Sequence, residues 1–314
     1  MAHHHSHSHS HGPHEHTHHE GPSAVLRLSA ATVLNVGITT AEVIGGLLSG
    51  SLALLSDALH NLSDSLSLIL SAVAQKVSSR SRNRRKTFGY QRAGIVAALI
   101  NSVLLIAVSV FLLQEAVVRF FNPHPVQGFI VLVTAAIGLV GNLVSALFLH
   151  HHAHESLNVR SSFLHLLADT LASGAVLVGG VVIFYTHWYW LDAGLSLAIS
   201  LYIFIEVYRL LKTTLNILMQ GAPQGFNIAE LEAAVRKIPE VFNIHHVHVW
   251  SLDEHQQFLE AHLNLNTDLP VSQTQAVVAE VGRLVKEQFH ITHTTFQVEY
   301  ECCPGMGAIV EEAR

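Results

Sequence analysis

The stretch SDALHNLSDSLSLILS, at residues 56–71, decides how the chain folds, because it places ionisable side chains in an otherwise apolar segment. His60 and Asp64 are four residues apart, so on an α-helix they lie on one face, about one turn apart. Three further polar residues continue this face, namely Asp57, Ser67 and Ser71. Polar groups in a membrane-spanning helix are costly, and this face is therefore expected to be functional.

A second segment, SSFLHLLADTLASG at residues 161–174, repeats the pattern with His165 and Asp169. Leu59–Leu66 and Leu164–Leu171 match as L-H-x-L-x-D-S/T-L at a separation of 105 residues. Because the copies lie in the second and fifth apolar spans, three spans apart in the series, they cross the membrane in opposite directions, as in an inverted repeat with its site near mid-depth.

The two segments together offer two imidazoles and two carboxylates, from His60, Asp64, His165 and Asp169. Such a set can close a tetrahedral cage around a borderline-soft divalent ion. The alternative is that these side chains only form hydrogen bonds across the bundle. Hydrogen bonding between helices is the role expected for five other polar residues, Asn35, Glu42, Asn101, Asn142 and Asp192.

Composition supports a membrane protein. Charged residues make up 13% of the 314 residues and 50% are hydrophobic, whereas soluble domains carry about 25% charged residues. These values exclude a disordered chain and disfavour a soluble enzyme. The only cysteines, Cys302 and Cys303, are adjacent, which excludes a disulfide framework. A formal charge of -6 without a basic face argues against nucleic acid as a partner.

Six apolar stretches are each long enough to span about 30 Å of hydrocarbon as a helix. They lie near residues 24–48, 51–74, 93–118, 126–149, 158–185 and 188–211. Lys and Arg concentrate in the loop after the second stretch, which the positive-inside rule places in the cytosol. With six spans, both termini are then cytosolic. The transport domain is predicted at residues 23–212.

Residues 1–22 contain ten histidines interleaved with Ser, Gly, Pro and Glu, and we expect them to be disordered. They are either a native metal-collecting tail or a purification tag. Residues 222–302 predict a small α/β domain of order αββαβ, followed by a disordered tail at 303–314. A domain of this size is marginally stable alone, so oligomerisation is expected to stabilise it.

The chain resembles the cation diffusion facilitator family, zinc-transporting branch. The resemblance covers residues 23–302 and rests on five motifs: HNLSD at 60–64, HLLAD at 165–169, GGLLSGSLALLSDALHNLSD at 45–64, FGYQR at 88–92 and HHVHVWSL at 245–252. It implies a six-helix bundle and a metallochaperone-like cytosolic domain. The implied protein is a homodimer in a lipid bilayer that exchanges cytosolic Zn²⁺ for protons, with no cofactor.

The resemblance also implies the metal preference. Members with Asp in place of the His at position 60 tend toward other metals, so His60 points to zinc and cadmium. Some members bind a second metal in the loop after the second span, but here that loop, RSRNRRKTFGYQR, contains neither Asp nor His. That site is not expected in this chain.

By the same resemblance, four residues of the C-terminal domain are candidates for a regulatory metal site, His245, His262, His293 and Glu299. Strand alternation puts His262 on a polar face, and puts His293, Gln297 and Glu299 on one face of the last strand. Cys302 and Cys303 either donate thiolates or form an exposed reduced pair. The histidines at 150–152 and 154 form either a metal-handing loop or a solvated run.

The predicted function is a secondary transporter that exports zinc across a bacterial inner membrane, with cadmium and cobalt as further candidate ions. An intramembrane zinc enzyme is a rival, but a catalytic zinc keeps an open position and needs a general base, and no HExxH motif occurs. A metal sensor is a third hypothesis, which leaves the intramembrane residues unexplained.

Overall fold

The computed structural model describes residues 22–150, 157–253 and 255–303. Side chains are described from Val33 onward, except at residues 68, 71, 148–150, 157–166 and 168. The predicted tails therefore fall almost entirely outside the described residues, as does the predicted histidine run from residue 150.

Six long helices form the first part of the fold. They are α1 (Pro22–Ser49), α2 (Leu52–Ser78), α3 (Ala93–Phe121), α4 (Gly128–His150), α5 (Leu157–Thr186) and α6 (Trp190–Leu218). The α1–α2 turn is tight because Gly50 has a φ of 71°, in the left-handed region that favours glycine. Ser51 then caps α2, its side chain accepting a hydrogen bond from the Leu54 N–H.

Four segments of the described helices are long and apolar enough to span a membrane, Ala93–Phe121, Gly128–Leu147, Asp169–Thr186 and Trp190–Leu218. The described side chains of α1 add a shorter apolar segment, Val33–Ser49. The polar face of α2 lowers the hydropathy of that helix, which explains why it is not among the four. The predicted class, a helical membrane domain followed by a small α/β domain, is confirmed.

The helices pack as an antiparallel bundle in which α4 lies along α5 and α3 lies along α6. Helix α2 contacts α1, α3, α5 and α6, so its polar face lies inside the bundle. A second anchor holds the start of α2, because the Asp192 carboxylate of α6 accepts hydrogen bonds from the Ser51 hydroxyl and the Leu52 N–H.

The C-terminal domain has the predicted αββαβ order. Its elements are α7 (Ile228–Val235), β1 (Val241–Ser251), β2 (Gln257–Leu265), α8 (Val271–Phe289) and β3 (His293–Tyr300). The sheet order is β1-β2-β3, with β1 antiparallel and β3 parallel to β2. Both helices cover one face of the sheet, and the core includes Leu231, Val235, Leu259, Ala261, Leu263, Val277 and Val281.

One aromatic contact joins the two parts of the fold. Phe88, in the loop between α2 and α3, packs edge-to-face against Phe258 of β2 with ring centroids 5.6 Å apart. Trp250 of β1 stacks on the same ring. The loop that follows α2 therefore rests on the C-terminal sheet.

Candidate metal centres

The first candidate centre, the intramembrane site, comprises the four residues His60, Asp64, His165 and Asp169. His60 is eight residues, or about 12 Å, beyond the first residue of α2, near the middle of a hydrocarbon core about 30 Å thick. The α5 segment enters the bundle beside it and runs in the opposite direction. The two segments therefore meet at a common depth.

Three of the four side chains converge. The Nε2 atom of His60 lies 2.8 Å from Oδ1 of Asp169 and 4.0 Å from Oδ2 of Asp64. One ligand atom from each residue lies within 4.8 Å of the other two. His165 occupies α5 one turn before Asp169, and its side chain lies outside the described part of the structure.

These distances suit zinc. Two ligands of a tetrahedral zinc ion, each about 2.0–2.1 Å from the metal, are about 3.3 Å apart. The separations of 2.8 and 4.0 Å bracket that value. His60 and Asp169 are buried, while the Asp64 side chain is 26% exposed and forms the open edge of the group.

The intramembrane site has no basic side chain built into its own segments, since residues 33–75 and 161–186 contain neither Lys nor Arg. Two carboxylates in a low-dielectric setting need a positive charge. A divalent cation or protons can supply it.

All five polar residues expected to bond between helices do so. Asp192 bonds α2 as described above. The other four take part in amide hydrogen bonds across the bundle, in the contacts Asn35–Ser65, Asn61–Glu42, Asn101–Ser67 and Asn142–Ser173. The first three join α2 to α1 and α3, and so stabilise the rotation of α2 that turns His60 toward α5.

The second candidate centre, the C-terminal cluster, comprises His245, His262 and Glu299. His245 and His262 are paired in the β1–β2 register. The Nδ1 atom of His262 lies 2.9 Å from Oε1 of Glu299, and Nε2 of His245 lies 3.2 Å from Oε2. An irregularity in the pairing follows His245, where His246 has a φ of 51°.

One contact in the C-terminal cluster lacks the geometry of a hydrogen bond. Nε2 of His245 and Oε2 of Glu299 are both buried, and neither has a hydrogen-bond partner among the described residues. The other ring nitrogen, Nδ1, bonds Oδ1 of Asn243 at 3.2 Å. Because an amide oxygen only accepts, Nδ1 donates to Asn243, and Nε2 is the ring nitrogen that faces the carboxylate.

The charge of Glu299 is stabilised by its neighbours. Burial alone would raise the pKa of this carboxyl, but hydrogen bonds from Gln297 and Cys302, with the imidazoles of His262 and His245, lower the pKa below its usual value. Cys302 behaves in the opposite way. Its contact with Cys303, burial and the nearby Glu299 carboxylate raise the pKa of the thiol to about 12.

The structure does not bring His293 to the C-terminal cluster. His293 pairs in register with Phe258 and contacts that ring, whereas Gln297 pairs with His262. Glu299 lies six residues further along β3, or about 20 Å away. Alternation identified the face of the strand correctly, but it carries no information about distance along it.

Two residues beside these centres were absent from the sequence predictions. Asn61 lies between the two α2 candidates and bonds Glu42, and Asn264 donates to the Cys302 carbonyl. The available signal in the sequence was their position, since Asn61 lies inside the HNLSD motif and Asn264 lies two residues after His262.

Membrane-length helices around a His–Asp site, joined to a small α/β domain, define a membrane transporter of metal cations. Two family models match the chain, "Cation efflux transmembrane domain" over residues 28–219 and "Cation efflux protein, cytoplasmic domain" over residues 223–301. The chain belongs to the cation efflux family, the cation diffusion facilitators.

Named relatives agree with this assignment. The chain is 38% identical to the "Zinc transporter ZitB" of Escherichia coli, an alignment covering 89% of this chain and 88% of the relative. It is 34% identical to the "Metal cation efflux system protein CzcD" of Cupriavidus metallidurans (91% and 90%). It is 33% identical to the "Cadmium, cobalt and zinc/H(+)-K(+) antiporter" of Bacillus subtilis (86% and 87%). The protein is thus a metal cation efflux transporter and not an enzyme.

Proposed function

We propose that the protein exports Zn²⁺ from the cytosol in exchange for protons, with His60, Asp64, His165 and Asp169 as the four transport ligands. The observation that carries the proposal is the convergence of His60, Asp64 and Asp169 from oppositely directed helices near mid-depth. His165 is assigned as the fourth ligand from its place one turn before Asp169.

The ligand types favour zinc over harder ions. Two imidazoles and two carboxylates form a tetrahedral set for a borderline-soft ion, and the two carboxylates balance its charge of +2. The names of the ZitB and CzcD relatives refer to zinc or metal cations, which agrees with this preference.

Proton exchange follows from the chemistry of the same ligands. Zinc binds neutral imidazole and ionised carboxylate, so its capture displaces the protons that the empty site holds. Protons and metal then compete for one site that opens to one side at a time. An inward proton gradient makes export the downhill direction. The name of the Bacillus relative, "Cadmium, cobalt and zinc/H(+)-K(+) antiporter", pairs metal ions with protons and potassium.

We propose a bacterial inner-membrane homodimer with both termini in the cytosol. The loop between α2 and α3 carries six of the twelve Lys and Arg residues found in residues 23–212, which supports the orientation. A domain matching a cytoplasmic-domain family model at residues 223–301 supports it as well. The division into tails and domains at residues 22, 212, 222 and 302 remains part of this proposal.

A second zinc ion is proposed at the C-terminal cluster, as a regulatory site. Nε2 of His245 lies 3.2 Å from Oε2 of Glu299, and neither atom has a hydrogen-bond partner among the described residues. A cation there would use both atoms as ligands. His262 supplies the third ligand, and the site is distinct from the transport ligands.

Uptake of radioactive zinc into proteoliposomes tests the transport proposal. Zinc should accumulate with the wild-type chain and fall to the level of empty liposomes with Asp64→Ala or Asp169→Ala. Asp268→Ala, at an exposed position of the C-terminal domain, is the matched control and should transport normally. Wild-type uptake by either Asp64→Ala or Asp169→Ala would refute the ligand assignment.

A further inference from the structure

Glu42 of α1 is a buried carboxylate outside the four transport ligands. Its side chain has no exposure to solvent. Oε2 accepts a hydrogen bond of 2.8 Å from the Asn61 amide, but Oε1 has no hydrogen-bond partner among the described residues. A half-satisfied carboxylate in a membrane protein is costly unless something else satisfies it.

The free oxygen occupies a notch in the neighbouring helix. Oε1 lies against Gly138 of α4, where the Cβ of any other residue would overlap it. Ser173 Oγ of α5 borders the same notch, 3.7 Å from that Cβ position. Oε1 and the Ser173 hydroxyl therefore both border the space beside Gly138.

A short polar chain connects this notch to a second carboxylate. Ser173 donates a hydrogen bond of 3.0 Å to Oδ2 of Asp57 and accepts one of 3.1 Å from the Asn142 amide. Asp57 is 1% exposed and belongs to α2, three residues before His60. Glu42 and Asp57 thus form a buried carboxylate pair beside the intramembrane site.

The electrostatic surroundings of Glu42 come from two helices. The carboxylate of Asp57 and the imidazole of His60 act on it from α2, and the carboxylate of Asp169 acts from α5. The described part of α4, residues 128–147, contains no titratable side chain. Glu42 therefore senses the charge of the intramembrane site without contributing a ligand to it.

The directions of the hydrogen bonds indicate that the Glu42–Asp57 carboxylate pair binds a proton and not a metal ion. Asn61 donates toward Glu42, while Asn142 and Ser173 donate in sequence toward Asp57. A metal ion needs lone pairs around it, but the amide and hydroxyl groups here already point N–H and O–H toward the carboxylates. A single proton on Oε1 removes the negative charge of the buried carboxylate.

We propose that Glu42 is a proton-binding residue separate from the transport ligands, holding a proton on Oε1 when the intramembrane site is empty and releasing it when zinc arrives. This inference rests on the proposed zinc–proton exchange. Zinc adds positive charge within electrostatic range of Glu42 and so favours its ionised form. Glu42 then contributes one of the protons that each zinc displaces.

Counting protons tests the assignment. The full-length protein in detergent is titrated with zinc in weak buffer near neutral pH, and released protons are measured with a pH indicator. Glu42→Gln keeps the side-chain volume and removes the titration. It should release about one proton fewer per zinc bound at the intramembrane site than the wild type, with zinc affinity changed less than about threefold.

The controls separate a proton role from a packing role. Glu115→Gln alters a carboxylate that pairs with Arg119 away from the site, and should release the wild-type number. Glu42→Asp should restore the release. Gly138→Ala, which intrudes on Oε1, should shift the pH at which this proton is released, and should have no such effect in a Glu42→Gln background.

The outcomes also distinguish two failures. A wild-type protein that releases no protons would refute the proposed exchange itself. A wild-type protein that releases them, with the same number from Glu42→Gln, would overturn the role of Glu42 alone. If Glu42→Gln fails to fold, Gly138→Ala tests the role of Glu42 instead. Proton release with an unchanged pH dependence in that variant would equally overturn the role.

Discussion

The intramembrane site and the C-terminal cluster use the same chemical groups in different settings. Each holds an imidazole close to a carboxylate, at 2.8 Å between His60 and Asp169 and at 2.9 Å between His262 and Glu299. The intramembrane site has two carboxylates, whose charge would balance that of a divalent ion. The C-terminal cluster has one carboxylate and lies beside two thiols.

The comparison teaches how one chain can move one ion and retain another. In the bundle, the proposed ligands come from helices that pack side by side, so a small relative movement of α2 and α5 changes the distance between His60 and Asp169. In the C-terminal domain, the proposed ligands come from hydrogen-bonded strands whose register fixes their separation. We therefore expect zinc to leave the first site during transport and to remain at the second.

The largest expected difference appears when one carboxylate is removed from each centre. Asp169→Ala should lower zinc transport by more than about 100-fold, since losing even an outer-shell partner of a metal costs about 10- to 100-fold in affinity. Glu299→Gln should lower transport by no more than about twofold, because a regulatory ligand does not carry the ion. Equal losses from the two variants in proteoliposome uptake would remove the proposed distinction.

A change of ligand type should alter selectivity at one centre only. His60→Asp makes the intramembrane site harder and more anionic, so the preference for zinc over manganese should fall by about tenfold. Competition between radioactive zinc and unlabelled manganese measures this preference. An unchanged preference would show that His60 is not a ligand, and His293→Asp, at an exposed residue, serves as the control.

Retained zinc should depend on the C-terminal cluster. Glu299→Gln or His245→Ala should reduce the zinc that remains after gel filtration by about one ion per chain, because each removes one of three ligands. His293→Ala should retain the wild-type amount, since His293 lies at the opposite end of β3. Metal analysis of the three purified variants checks this, and loss of zinc from His293→Ala alone would reverse the assignment.

The sequence predicted the fold better than it predicted the second centre. A spacing of four residues on a helix fixes a common face, so the local pattern was sufficient to place His60 and Asp64 together. Strand alternation likewise identified the faces of His262 and Glu299. The parallel register of β2 and β3, which sets His293 against Phe258, depends on tertiary packing that no local pattern records.

The surroundings of the intramembrane site also depend on tertiary packing that the local sequence does not record. Polarity alone predicted that Glu42 and Asn142 would bond between helices. The notch at Gly138 exists only because α1, α4 and α5 approach one another there, so a single glycine in an apolar stretch carried no signal of it.

The smallest expected effect concerns the histidine-rich residues 1–22, which lie almost wholly outside the described structure. Deleting them should leave zinc turnover at saturating concentration within about twofold of wild type, because a metal-collecting tail raises only the local concentration. Uptake should fall when zinc is scarce. Loss of transport at every zinc concentration would contradict a collecting role.

Zinc flux under an imposed pH gradient tests the central proposal most directly. Everted vesicles or proteoliposomes containing the full-length chain are given an acidic lumen, and zinc accumulation and luminal pH are recorded together. Exchange predicts that accumulation rises with the gradient, that luminal protons leave as zinc enters, and that a protonophore abolishes both effects. Zinc accumulation that is indifferent to the gradient, with no movement of protons, would contradict the exchange mechanism.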